Sequence, residues 1–236
     1  MLLHQHFVKI ARRYGNKLAF IDRTSDKRVT YTKALIASLI LSEKFKKYPE
    51  GFLGIMIPTS AGSALSILGT LMSGKTPVMI NYSTGAASNA IYDQKKCTFK
   101  TIITSKALLE KINCPVVDGM VFFEDIMEGI SAGEKLKAAL KAKLPAPLIL
   151  RMVHGGQEDD NVVILFTSGS EKDPKAVQLT HRNIASNIDS FSRAVKIYDH
   201  DIMLANLPYF HVFGLTVNLW TPLYFGMTIV AYANPL

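Results

Sequence analysis

Residues 51–81 constrain the fold more than any other part of the chain. They read GFLGIMIPTSAGSALSILGTLMSGKTPVMIN and carry one charged side chain, Lys75. An apolar run at 52–57 stops at Pro58. A stretch rich in small residues and leucine at 61–72 stops before Gly74 and Pro77, and a second apolar run fills 78–81. Short apolar runs bounded by turn residues read as strands covered on both faces, which lose the alternation of surface strands. Strand, helix and strand in this order make a crossover unit, and its handedness points to a parallel sheet. A membrane span would need roughly 20 mainly apolar residues. The stretch at 51–74 is interrupted by Pro58, Thr59, Ser60, Ser63 and Ser66. A second stretch with few charges, 202–236, is interrupted by Asn206, Pro208, Asn218 and Pro222. Both read as buried sheet with crossover helices.

The alternation extends along the chain. Residues 19–22 and 28–31 suggest a hairpin around the polar turn 24–27. Thr32 opens a helical pattern reaching about residue 47, with Leu35/Leu39 and Ile36/Ile40 at four-residue spacing. A helix over 86–96, a strand over 101–104, a helix over 106–112 and a strand-like run over 116–123 follow. Ser131 and Glu134 have capping-box spacing ahead of a Lys/Ala/Leu helix to about residue 143. Segment 144–160 holds two prolines, two glycines and three consecutive acids, so it reads as the main internal boundary. The expected fold class is therefore α/β, with mainly parallel sheets flanked by helices. Residues 1–150 would form a first subdomain and 151–236 the start of a second, incomplete one.

Charge is unevenly spread. Residues 1–150 hold 21 Lys/Arg against 11 Asp/Glu, while 151–236 hold 6 against 8. The basic excess could be a solvated helix face, or could meet an acidic protein or a membrane headgroup layer. No dense Arg run or aromatic–basic interleaving favours nucleic acid. Cys97 and Cys114 are too few and too far apart for a zinc or redox motif, and a reducing compartment fits best. The first 13 residues lack the apolar core and small-residue cleavage site of a signal peptide.

Residues 161–187, NVVILFTSGSEKDPKAVQLTHRNIASN, carry the chemistry. Residues 162–166 read as a buried strand feeding the loop Thr167, Ser168, Gly169, Ser170, Glu171, Lys172, Asp173, Pro174, Lys175. A second strand over 176–179 follows. A helix then begins near Asn183, with Ile184, Ile188, Phe191 and Val195 on one face. Three hydroxyls and a run of backbone N–H groups gather at a strand end. Gly169 allows backbone angles that turn successive N–H groups inward, and Lys172 and Lys175 add positive charge. Strand ends of open α/β sheets are where phosphates bind. The spacing is that of neither a Walker A loop nor a GxGxxG fingerprint.

The string TSGS-x-x-x-PK after an apolar strand, followed by a strand and LTH-x-N, resembles the phosphate-loop signature of the adenylate-forming superfamily. That superfamily includes acyl-CoA synthetases, luciferases and the adenylation domains of peptide synthetases. The chain has Lys172 and Ala176 where relatives commonly have glycine. Residues 207–214, LPYFHVFG, are similar to the family's LP-x-FH-x-x-G segment. The resemblance implies that this segment, with His211, Phe213 and Gly214, lines the carboxylate-substrate pocket. Read without the neighbouring loop, His211 fits better as a buried core histidine satisfied by a carbonyl. Residues 54–82, the Glu171 position and 207–236 resemble the acyl-acyl-carrier-protein synthetase branch, which some relatives fuse to a 2-acylglycerophosphoethanolamine acyltransferase. The first residues already read as synthetase-like, so the acyltransferase step is not expected of this sequence.

The resemblance implies the N-terminal portion of the adenylate-forming synthetase fold and an AMP-forming ligase. ATP with Mg2+ would be the cofactors, and a fatty acid the substrate. Acyl carrier protein or coenzyme A would accept the acyl group. A carboxylate attacks the α-phosphate of ATP, pyrophosphate leaves, and a thiol then displaces AMP. Thr167, Ser168, Gly169, Ser170, Glu171, Lys172 and Lys175 would cradle the nucleotide phosphates. The YG-x-TE and TGD segments and the late catalytic Lys are not found, so catalytic residues are expected beyond residue 236. The chain alone is expected to show little or no adenylation. The expected location is cytoplasmic, with peripheral contact at the inner membrane as a further reading. A non-catalytic acyl- or carrier-protein-binding module remains the alternative.

Overall fold

A computed structural model describes residues 1–167 and 173–233. The crossover unit forms as β3 (Phe52–Met56), α3 (Ala61–Met72) and β4 (Thr76–Met79), with β3 and β4 parallel and Gly54 opposite Val78. Side by side with them lie β5 (Ile102–Thr104), β6 (Met120–Phe122), β7 (Asn161–Phe166) and β8 (Ala176–Thr180). The sheet order is β6-β5-β3-β4-β7-β8, parallel throughout except for the antiparallel β7–β8 pair. A smaller sheet holds β1 (Leu18–Asp22), β2 (Lys27–Thr30), β9 (Ile202–Ala205) and β10 (Thr228–Ala231) in the order β2-β1-β10-β9. Its β1–β2 hairpin is antiparallel, as the turn chemistry at 24–27 predicts, and β10 runs parallel to both neighbours.

Helices fill the space around the sheets. α1 (Leu3–Arg13) buries Leu3, Phe7, Val8, Ile10 and Ala11. α2 (Tyr31–Phe45) packs on α3. There Gly69 lets the helices close in, since a Cβ would stand 2.7 Å from that of Leu41. The start of α2 is set by Thr30, whose hydroxyl accepts from the Lys33 N–H, two residues earlier than Thr32 suggested. Thr32 is the second residue of the helix, and its N–H, which has no partner within the first turn, donates to the Gly15 carbonyl. α4 (Ala86–Cys97) and α5 (Lys106–Lys111) match the sequence pattern closely. The strand-like run at 116–123 resolves into the short β6 and then a helix, α6 (Phe123–Glu128), with Glu124 and Asp125 in its first turn. Acids there favour a helix N-terminus, and apolar content alone concealed it. α7 (Ala132–Lys143) has the capping box expected from Ser131 and Glu134.

Segment 144–160 contains α8 (Ala146–Leu150), whose Ile149 is fully buried. Strands from either side of that segment enter both sheets: β7 pairs with β4, and β10 pairs with β1. Asp22 ties the two sheets together. One carboxylate oxygen accepts from the N–H groups of Thr24 and Ser25, and the other accepts from Ala61 at the start of α3, 2.8 Å away. Among the described residues no helix is long and apolar enough to cross a membrane. The stretch at 51–74 is β3 with α3. The stretch from 202 holds β9, a π-helix (Gly214–Trp220), α10 (Thr221–Phe225) and β10.

Candidate nucleotide and acyl site

The site begins where β7 leaves the large sheet. β7 lies beside β4 with Met79 opposite Leu165, so both chains emerge at the carboxyl edge of parallel strands. Open α/β sheets hold ligands at that edge. β8 returns antiparallel, with Phe166 opposite Ala176. One step beyond, Thr167 and Lys175 close the neck of the loop. The Thr167 N–H donates to the Lys175 carbonyl, and the Lys175 N–H donates to the Thr167 hydroxyl oxygen, each at 3.0 Å. The neck is braced from α4: the Tyr92 hydroxyl donates to the Pro174 carbonyl at 3.0 Å, and its ring meets Phe166 edge-on. Ser168, Gly169, Ser170, Glu171 and Lys172 lie outside the described residues. The structure therefore places the two ends of the predicted phosphate loop, and of its candidate residues it brings Thr167 and Lys175 together.

The second predicted segment is held at the same edge. The Thr59 hydroxyl, just past β3, donates to the Leu207 carbonyl at 3.0 Å. Tyr82, just past β4, meets Phe210 edge-on with ring centroids 4.8 Å apart. Burial pushes the Tyr82 phenol up to about 12. Tyr209 is fully buried, its phenol pushed up by burial and, secondarily, by the negative charge of Asp22. The Tyr209 hydroxyl has no hydrogen-bond partner among the described residues. Neither tyrosine can ionise near neutrality, so both act as apolar bodies with a polar tip.

Gly214 starts the π-helix because no other residue fits: a Cβ there would lie 2.3 Å from the Pro208 carbonyl oxygen. The Thr221 N–H and hydroxyl both donate to the Thr216 carbonyl, the i to i+5 closure of a π turn. Such turns are rare and concentrate at functional sites. Here the wide turn presents Phe213, Thr216 and Val217 to a cavity of about 1010 Å³. Its other walls come from Leu179 of β8, from Met203 of β9, and from Ile184, Asn187 and Phe191 of α9 (His181–Ala194). Leu179 lies four strand residues from Lys175, about 13 Å along β8. Of the three predicted acyl-pocket residues, Phe213 lines the cavity and is 62% exposed. Gly214 is buried behind it. His211 is exposed beside the Phe210 ring and is not part of the cavity wall.

Sequence reasoning missed Met203, Val217 and Asn187 as wall residues. It did place Ile184, Ile188, Phe191 and Val195 on one helix face, although α9 ends at Ala194 and Val195 follows it in extended conformation. Ile188 is fully buried, and Ile184, itself buried, lines the cavity together with Phe191 and Val195. No side-chain signal separates those outcomes, because a cavity wall and a packed core share one apolar period. Among the described residues no group of three or more His, Cys, Asp or Glu gathers to hold a metal ion.

The chain is similar to ligases and to solved adenylate-forming enzymes. It is 30% identical to the ligase Rv1013 of Mycobacterium tuberculosis over 75% of this chain and 32% of that protein. It is 24% identical to 4-coumarate–CoA ligase 1 of Petroselinum crispum over 97% of this chain and 42% of that enzyme. It thus spans less than half the length of these relatives. Among solved structures, o-succinylbenzoate coenzyme A synthetase of Bacillus subtilis, in complex with ATP and magnesium ion, superposes with a TM-score of 0.76. The match has 18% identity and covers 97% of this chain and 57% of that one. This likeness shows the fold: an α/β chain of mostly parallel sheets flanked by helices, as in the N-terminal part of adenylate-forming synthetases. A family model described as AMP-binding enzyme matches residues 7–235, and the chain belongs to that family.

Proposed function

We propose that this chain supplies the ATP-phosphate loop and the acyl cavity of a ligase that activates a carboxylic acid as its adenylate. The observation that carries the reading is the closed neck at Thr167 and Lys175, set at the carboxyl edge of β7 beside the anchored segment 207–213. A loop pinched at its ends presents its backbone N–H groups as a unit, which suits a polyphosphate. Thr167, Ser168, Gly169, Ser170 and Lys175 would hold the phosphates of ATP, with Glu171 and Lys172 flanking them. Magnesium bound between phosphate oxygens would spread their charge. Positioning and charge neutralisation supply most of the catalysis in such a transfer.

The cavity's wall of Leu179, Ile184, Phe191, Met203, Phe213 and Val217 supports an acid with an apolar body, and we assign a fatty acid as its substrate class. A 4-coumarate ligase among the relatives is compatible with the same apolar wall holding an aromatic acid. The acceptor would be the thiol of coenzyme A or of an acyl carrier protein, the latter suited to the basic first 150 residues.

ATP binding tests the reading directly. Calorimetric titration of the chain with magnesium ATP should show saturable binding. Lys175→Ala should weaken it by about tenfold, the scale of one charge-assisted contact. Equal affinity in both proteins would remove the loop from the nucleotide site. Pyrophosphate exchange with a panel of fatty and aromatic acids, on a protein extended to the length of its relatives, would then identify the acid.

A further inference from the structure

The outer face of α7 is at odds with its position on the surface. Its inner face is set by small side chains: Ala138 and Ala142 are buried, and Ala138 packs with Ile40 of α2. Two ion pairs bind α7 to α2, Lys44 to Glu134 at 2.6 Å and Lys141 to Glu43 at 3.6 Å. On the opposite face, one turn apart, stand Leu136 and Leu140, 63% and 58% exposed. A solvated helix face is ordinarily polar. A single exposed leucine needs no explanation, but two leucines stacked at i and i+4 along the middle of an outward face form a stripe.

The rim of that stripe is basic. Lys135, Lys137 and Lys143 are exposed, and Arg12 of α1 reaches the C-terminal end of α7, donating to the Ala142 carbonyl at 3.2 Å. Residues 131–153 hold five Lys/Arg against one acid, Glu134, and that acid is already engaged by Lys44. Exposed Leu148, Arg151 and Met152 continue the same mixture beyond α7. Leucines on the convex crest of a helix, flanked by cations, are the arrangement of helices that lie in a bilayer interface. The apolar crest enters the headgroup layer and the cations meet anionic lipid.

We propose that the outer face of α7 docks the protein on an anionic lipid surface. Charge complementarity favours this occupant, since Lys135, Lys137 and Lys143 stand exposed beside the two leucines. The surface lies apart from the cavity and the loop, so the proposal stands independently of the function assigned to them. The test is flotation of the full chain with vesicles of phosphatidylcholine alone and of phosphatidylcholine mixed with phosphatidylglycerol. The chain should float with the mixed vesicles only, and less so as salt rises. The double variant Leu136→Glu, Leu140→Glu should bind them at least about tenfold more weakly at unchanged Tm, since neither side chain is buried. Lys137→Glu with Lys143→Glu should abolish the preference for phosphatidylglycerol. Undiminished binding by the leucine variant overturns the proposal. So does absence of binding to the anionic vesicles, in which case an acidic protein is the occupant to seek.

Discussion

At the scale of single residues, the buried polar groups report most sharply on the fold. Asp93 lies on α4 one turn after buried Ala90. It is 2% exposed, and no hydrogen bond or ion pair reaches its carboxyl among the described residues. Burial pushes it up to about 8 from its ordinary 3.8. The folded state therefore holds a proton that the unfolded chain has lost, and stability falls as pH rises from about 4 to about 8. Asp93→Asn should remove that decline. Its melting temperature should exceed that of the unaltered protein at pH 8 and converge with it near pH 4, as followed by circular dichroism. Gly214 answers to sterics alone. Gly214→Ala drives a Cβ into the Pro208 carbonyl, which should cost about 2–3 kcal/mol and lower Tm by roughly 4–12 °C. It should also distort the cavity wall that Phe213 and Val217 form.

At the scale of elements, the ends of α1 and α9 are joined by histidines. The Leu3 N–H donates to Nδ1 of His181 at 3.1 Å, and Nε2 of His4 donates to the His154 carbonyl at 2.9 Å. The two rings lie 5.4 Å apart. Burial lowers His4 to about 4. Burial, with the charge of His4 second, lowers His181 to about 3. Both pKa values fall below the unfolded value of 6.5, so their contribution is complete above pH 6.5 and is lost as pH falls toward 4 and then 3. Urea midpoints should drop over that window, and His181→Gln, which keeps an acceptor for Leu3, should flatten the drop. The acid step matters for the site because α9 follows the loop hairpin directly. The elements themselves were readable where one local signal dominated. The capping box at Ser131 and the run at 61–72 gave α7 and α3 with their observed starts. α6 and the π-helix were not readable. In the first, an apolar run hid a helix opened by two acids. In the second, a wide turn depends on Gly214 meeting a backbone oxygen six residues earlier, a contact that no local pattern encodes.

At the scale of the whole molecule, the two sheets meet through Asp22, α2 and α3, and while the cavity extends along β8 as far as Leu179, the loop neck and residues 207–210 lie at the carboxyl edge of the larger one. The sequence made the loop legible because strand, hydroxyl-rich turn, strand and helix follow each other in order. It did not show that Thr59, Tyr82 and residues 207–210 converge at that edge, since those contacts join positions up to 148 residues apart. The central claim is that backbone N–H groups of the loop from Thr167 to Lys175 grip a polyphosphate. Hydrogen–deuterium exchange with and without magnesium ATP measures those groups directly. Amides of residues 167–175 should slow on adding nucleotide, while α7 and the β1–β2 hairpin stay unchanged. Protection confined to another part of the chain, with the loop amides exchanging as before, would contradict the account.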